Sequence, residues 1–209
     1  MKGEEITKFQ QFANVSRETT EKFKLYADEL SKWQQRINLI SPSTIHAIWE
    51  RHFTDSVQLA GFLPNGSHTL LDIGSGAGFP GLPLCLVTQT PTILIERDAR
   101  KAAFLRAAIH RTSAPAQVYL GDVQAFQHGG PSILVARAVA SIDKILELVA
   151  HLITPTTYML LLKGRKAQDE LTDASERWTM SSDVHQSRTS PDGVIVRLAN
   201  IRRAHVPNS

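Results

Sequence analysis

The residues best suited to chemistry lie in one run, Leu70-Leu71-Asp72-Ile73-Gly74-Ser75-Gly76-Ala77-Gly78-Phe79-Pro80-Gly81. An apolar segment carries an acid near its end and gives way to glycines at every second position. Glycine tolerates positive φ and lets the backbone approach a ligand closely. A helix that follows such a turn points its unpaired N–H groups into it. This is the pattern of a strand tip that turns sharply beneath a nucleotide-like ligand. Asp72 narrows the choice, because a carboxylate beside the turn repels a pyrophosphate and suits a cation.

Gly76-Ala77-Gly78-Phe79-Pro80-Gly81 also matches the G-x-G-x-x-G pattern of dinucleotide binding, and Glu96 lies 20 residues beyond Gly76, where a ribose-binding acid is expected. Against a pyrophosphate stand the charge of Asp72 and the N–H that Pro80 lacks at the helix start. S-adenosylmethionine, with its ammonium and sulfonium groups, meets the demand for a cation. Glu96 then accepts from both ribose hydroxyls. Asp122, or the backbone at Val123 and Gln124, addresses the adenine edge, and Phe79 lines the pocket wall. A nicotinamide-dependent oxidoreductase is the competing reading.

Which elements must position these groups follows from the rest of the chain. Its 209 residues suffice for one α/β domain with extra elements. A hydrophobic fraction of 42% and a charged fraction of 21% are those of an ordinary soluble globular protein. No apolar run approaches the roughly 20 residues of a membrane span. The start, Met1-Lys2-Gly3-Glu4-Glu5-Ile6, lacks the apolar stretch of a signal peptide, so a cytoplasmic protein is expected. Cys85 is the only cysteine, which excludes an internal disulfide and a cysteine-based metal cluster, and no metal is expected. The net charge of +3 is mildly basic and leaves local clusters of cations to indicate a partner.

Residues 1–66 read as an N-terminal helical extension packed on the core, and 67–209 as the ligand-binding domain. In the extension, Ser16 is placed to cap a helix whose apolar stripe is Phe23, Tyr26, Ala27, Leu30, Trp33 and Ile37. A second helix is predicted over 44–61, with Ile45, Ile48, Trp49, Phe53 and Val57 inward. Strands are then predicted at 69–73, 92–96, 117–121, 132–136 and 156–163, alternating with helices near 80–88, 99–112, 141–152 and 166–178. Asp98 and Asp143 read as helix caps. Two last strands, 183–189 and 193–199, are joined through Pro191-Asp192-Gly193 as a hairpin. The expected fold class is α/β, a doubly wound, mostly parallel seven-stranded sheet with antiparallel strands at its C-terminal edge.

Trp33 with Asn38-Leu39, Arg51-His52 with Asp55-Ser56, Asp72 to Gly81, Arg137-Ala138 and Leu162-Lys163-Gly164 together carry a more specific likeness. On these stretches the chain resembles the bacterial RsmG (GidB) family, class I methyltransferases that use S-adenosylmethionine to methylate N7 of a guanine in 16S ribosomal RNA. The resemblance implies a Rossmann-like methyltransferase domain over 67–209. It implies a donor site at positions matching Gly74, Phe79, Val123-Gln124 and Arg137, beside the Asp72, Gly76, Gly78, Glu96 and Asp122 read above. It also implies 16S RNA, or a small-subunit particle, as the partner of a monomeric protein. Relatives often carry an acid where this chain has Gln124, a change that a backbone contact survives.

Guanine N7 is an exposed lone pair and needs no deprotonation before it attacks a methyl sulfonium. Alignment therefore matters more than a general base. Arg137, after the fourth strand, is expected to organise the pocket and the RNA rather than transfer protons. His52, beside Trp49 and Phe53, reads equally as a packed histidine and as a functional one. Asp55 or Ser56 is expected to pin that helix against the donor pocket. The candidate RNA contacts are Arg51, His52, Lys101, Lys163, Arg165 and Lys166, the last three at the rim where substrate enters. A non-catalytic RNA-binding ribosome-assembly module is the second alternative.

Overall fold

Strands buried on both faces are built from near-continuous apolar runs, and β1 (Thr69–Ile73), β2 (Thr92–Glu96), β4 (Ser132–Arg137) and β5 (Tyr158–Lys163) are such runs. The computed structural model describes residues 2–66, 68–127 and 132–204. These strands and the half-buried edge strand β3 (Ala116–Leu120) are parallel. β7 (Val194–Arg203) runs antiparallel to β5, and β6 (Trp178–Gln186) completes the hairpin. The seven strands lie in the order β3-β2-β1-β4-β5-β7-β6. The chain reverses direction across the sheet between β1 and β4. In open α/β sheets the crevice beyond the strand ends at such a point is where ligands bind.

Helices α6 (Ile142–Val149) and α7 (Ala167–Ser175) cover one face, over a core that includes Leu71, Ile73, Ile95, Leu134 and Leu161. Helices α4 (Gly81–Thr88) and α5 (Ala99–Thr112) cover the other, together with α1 (Lys2–Ala13) and α2 (Arg17–Gln34). α2 packs against α5, and Phe9, Phe23, Tyr26, Trp49, Phe53, Phe79 and Phe104 form one aromatic cluster. The extension is thus continuous with the core under the glycine turn.

Ser16 and Asp98 cap α2 and α5 as expected, accepting from Thr19 N and from the Arg100 and Lys101 N–H groups. Asp143 does not cap α6. Ser141 occupies that position, and Asp143, in the first turn, pairs with Arg177. α2 stops before Ile37 because the Gln34 side chain accepts from the N–H of Leu39 and of Ile40, both at 3.0 Å, and folds the following segment back. The single helix predicted over 44–61 is four short pieces: a 3₁₀ turn (Pro42–Ala47), a π-helical turn (Trp49–Thr54), α3 (Asp55–Val57) and a second 3₁₀ turn (Gln58–Phe62). Trp49, His52, Phe53 and Ser56, spaced three and four residues apart, share one buried face across these pieces.

Candidate donor and acceptor sites

Gly74, Gly76 and Gly78 adopt φ of 67°, 57° and 88°, so the sharp turn at the tip of β1 does demand glycine. The N–H groups of the turn are directed inward. Gly76 donates to Glu96 Oε2 at 2.7 Å, Gly78 and Phe79 donate to Ser75 O, and Gly81 donates to Asp72 Oδ2 at 3.2 Å. Pro80 has no N–H to give. A phosphate-binding turn works by aiming these donors at the ligand. Here they are spent on the protein, which removes the physical basis for a dinucleotide pyrophosphate.

A cavity of about 410 Å³ opens beyond the ends of β1, β2, β3 and β4. Gly74, Glu96, Asp122 and Val123 line it, with Ile95, Val139, Ala140 and Leu148 as apolar wall. A Cβ on Gly74 would come within 3.1 Å of Val139 and fill part of this space. Glu96 is held rigidly, Oε2 by Gly76 N and Oε1 by Asp98 N at 2.8 Å, and each oxygen keeps a lone pair for a ribose hydroxyl. Apolar walls for a base, a fixed carboxylate for a ribose and a volume in the usual ligand range suit the nucleoside part of S-adenosylmethionine. Asp122 caps the short turn Val123–Ala125 by accepting from Gln124 N, while the Gln124 side chain is exposed and is not part of the lining.

Three residues expected at the donor lie beneath the turn instead. Phe79 is buried between His52, Tyr26 and Arg137. Gly78 is where Tyr26 crosses the turn to hydrogen-bond Ala77 O. Asp72 is fully buried under the start of α4, and its Oδ1 has no hydrogen-bond partner among the described residues. Burial pushes the Asp72 carboxyl up to about 7, against the lowering effect of the Gly81 N–H. A raised carboxyl pKa makes the folded state bind the proton more tightly than the unfolded chain. Its stabilisation is complete below the unfolded value near 3.8 and is lost as pH rises through about 7. Asp72→Asn, which keeps an acceptor for Gly81 N, is therefore expected to become more stable than the parent as pH rises toward 8, by roughly 2–4 kcal/mol. Urea unfolding of both proteins across pH 5 to 8 measures this; parallel curves would mean that the carboxyl is not strained.

Arg137 enters a second cleft of about 550 Å³, lined also by Arg51, His52, Asp55, Leu162 and the hairpin turn around Ser187–Gly193. The two cavities share Ala138. Arg137 donates to Arg51 O at 3.2 Å, to Asp55 Oδ2 at 3.5 Å and to His52 Nδ1 at 2.8 Å, and lies 4.8 Å over the Phe79 ring. A guanidinium can only donate. Nδ1 of His52 therefore holds its lone pair, and Nε2–H is donated to Thr44 Oγ1 at 2.9 Å. Burial, with Arg137 and Arg51 beside it, pushes His52 down to about 3. His52 is a neutral buried brace for Arg137, which is the packed one of its two expected readings, and it offers no charge to RNA.

Asp55 is the pin that was expected, but it pins the acceptor cleft. Its Oδ1 accepts from Gln58 Nε2 and from Thr189 Oγ1, tying the helical segment to the β6–β7 hairpin. Ser56 bonds only within its own segment, to His52 O. Lys163 is not a free phosphate ligand. Its ammonium pairs with Glu170 at 2.6 Å and donates to Ala140 O, and its side chain is 9% exposed. Arg165 is exposed and pairs with Asp192, while Lys166 and Arg51 make no ion pair among the described residues. Lys101 lines the donor cavity. Thr44, Gln58 and Thr189 went unnoticed in the sequence, where isolated Thr and Gln residues carry no spacing signal.

No helix among the described residues is long and apolar enough to cross a membrane, and no group of three acids, histidines or cysteines among them is placed to hold a metal ion. A family model described as "rRNA small subunit methyltransferase G" matches residues 19–195. The chain is 44% identical over 93% of its length to the ribosomal RNA small subunit methyltransferase G of Rhodospirillum centenum, covering 90% of that protein. It is 43% identical over 90% of its length to the protein of that name from Gluconobacter oxydans, covering 97% of it. Among solved structures, the glycopeptide N-methyltransferase MtfA complexed with S-adenosyl-L-methionine superposes with a TM-score of 0.57 at 12% identity, over 71% of this chain and 93% of that one. TYW2 of M. jannaschii in complex with AdoMet superposes with a TM-score of 0.56 at 14% identity, over 81% of this chain and 80% of that one. These two likenesses are likenesses of fold, a class I methyltransferase sheet.

Proposed function

Because the chain belongs to the rRNA small subunit methyltransferase G family, we propose that it transfers a methyl group from S-adenosylmethionine to N7 of a guanine in 16S ribosomal RNA. The observation that carries this reading is the pair of cavities that share Ala138. One has the apolar walls and fixed carboxylate for the donor, and the other has room for an extruded base. S-adenosylmethionine, when bound, supplies an electrophilic methyl group on a positively charged sulfur.

The protein's own residues then act by placement. Gly74, Glu96, Asp122 and Val123 hold the donor, while Asp72, Gly78 and Phe79 support the turn from below. Arg137, braced by His52, Asp55 and the Arg51 carbonyl, orders the acceptor cleft. His52, Asp55 and Lys163 are each committed to protein partners, so the buried titratable groups of this cleft are poorly disposed to shuttle a proton. N7 needs no such shuttle, and holding it in line with the methyl carbon supplies acceleration without acid–base chemistry. An unpaired, splayed guanine is the acceptor that such a cleft can reach.

Labelled donor incubated with small-subunit RNA from cells lacking this protein tests the proposal. Label in 16S RNA, mapped to one guanine and released by cleavage specific for 7-methylguanine, is the expected result. Transfer to another atom, or none to naked RNA or to the small-subunit particle, would overturn it.

A further inference from the structure

Cations that already serve a buried acid cannot also neutralise phosphate without breaking that pair, which leaves the acid uncompensated. Among the basic residues around the two cavities, this condition removes Lys163 from the expected RNA contacts. Lys163 is spent on Glu170 inside the fold; Arg165 pairs with Asp192 at the surface, where the two side chains are 78% and 52% exposed, and Lys166 forms no ion pair among the described residues. Arg36, Arg97 and Lys101 form no ion pair among the described residues. Arg100 has only a loose contact of 3.6 Å with its own helix cap, Asp98, at a side-chain exposure of 74%, a kind of pair that contributes little.

Arg36, Arg100 and Lys101 border a third cavity, of about 490 Å³, between the C-terminal end of α2 and the start of α5. Gln34, Asn38 and the α5 cap Asp98 line it with them, a strongly polar set with three cations and one acid. Lys101 belongs equally to the donor cavity. The segment that leaves this groove at Ile37-Asn38 continues as Leu39-Ile40-Ser41 into the wall of the acceptor cleft. The groove therefore adjoins the acceptor cleft through Leu39, Ile40 and Ser41 and the donor cavity through Lys101.

We propose that this groove is the track for the RNA backbone flanking the target nucleotide, with Arg36, Arg100 and Lys101 as phosphate contacts. The strand enters past α2 and α5. The inference rests on the RNA reading above and assigns it a surface. Arg36 and Arg100 are exposed, so their removal leaves the fold and the donor cavity intact.

The test compares Arg36→Gln/Arg100→Gln with Arg165→Gln/Lys166→Gln on 16S RNA, measuring affinity from low to moderate salt, with calorimetry of donor binding as the check on fold. At about 0.7 in slope for each single-strand phosphate, the first pair should flatten log K against log salt by about 1.4. Donor affinity should stay at the parent value, and the second pair should change the slope less. A parent-like slope in the first pair, or a larger loss in the second, would overturn the track while leaving methyl transfer by the parent protein untouched. Loss of RNA methylation by the parent would sink the function itself.

Discussion

Arg137→Ala is expected to lower methyl transfer to RNA by on the order of 10²- to 10³-fold, the usual effect of removing one preorganised donor from a closed site, with donor affinity unchanged. The side chain makes three contacts through its planar fork, to a carbonyl, a carboxylate and a histidine nitrogen, and lies flat on Phe79. Truncation leaves the lone pair of buried His52 without a donor and Asp55 without its cation. Lysine offers one compact charge in place of the fork, so Arg137→Lys should rescue little. Calorimetry with the donor, beside single-turnover transfer, separates this account from a donor-binding role. A weakened donor affinity in Arg137→Ala would place the guanidinium in the other cavity.

Gly78→Ala should be the most damaging single-methyl change in the turn, costing about 4 kcal/mol from positive φ and overpacking together. A Cβ there would stand 2.5 Å from the Tyr26 hydroxyl and 3.1 Å from Leu105, at φ 88°. Tyr26 is fully buried among Phe53, Phe79 and Phe104 and has nowhere to retreat. For a chain of this size the loss corresponds to a melting point lower by about 12 °C. Gly76→Ala is the control, because its nearest neighbour is 3.9 Å away and only the φ of 57° opposes it. Comparable melting points for the two variants would show that the contact with Tyr26 is not what makes Gly78 necessary.

The central strands and the helices between them were legible because their apolar runs need no tertiary information, and Asp98 and Ser16 announced their helices by local capping chemistry. The helical extension was less so. α1 went unread: its Phe9 becomes core only when the aromatic cluster closes around it. The segment from Pro42 to Phe62 shows helical periodicity and buries the face that this spacing defines, but its breaks into 3₁₀ and π turns leave no mark on that spacing. β6 is longer than expected because an edge strand with polar side chains on both faces has no alternation to read.

At the site, glycines and Glu96 stood out because the backbone chemistry of a sharp turn is local. The fate of Lys163 was not readable. It depends on Glu170 folding back over it from the first turn of α7, and charge spacing alone does not separate a paired lysine from a free one. The same holds for His52, whose neutral state follows from burial and from a donor 85 residues away.

Ala138 takes a left-handed φ of 54°, and it is the one residue common to both chambers. The bulkhead between methyl source and base is thus partly main chain, whose position does not depend on which side chain is attached. Drift in the surrounding residues can reshape either compartment on its own, altering what is admitted on one side without disturbing that shared stretch of backbone.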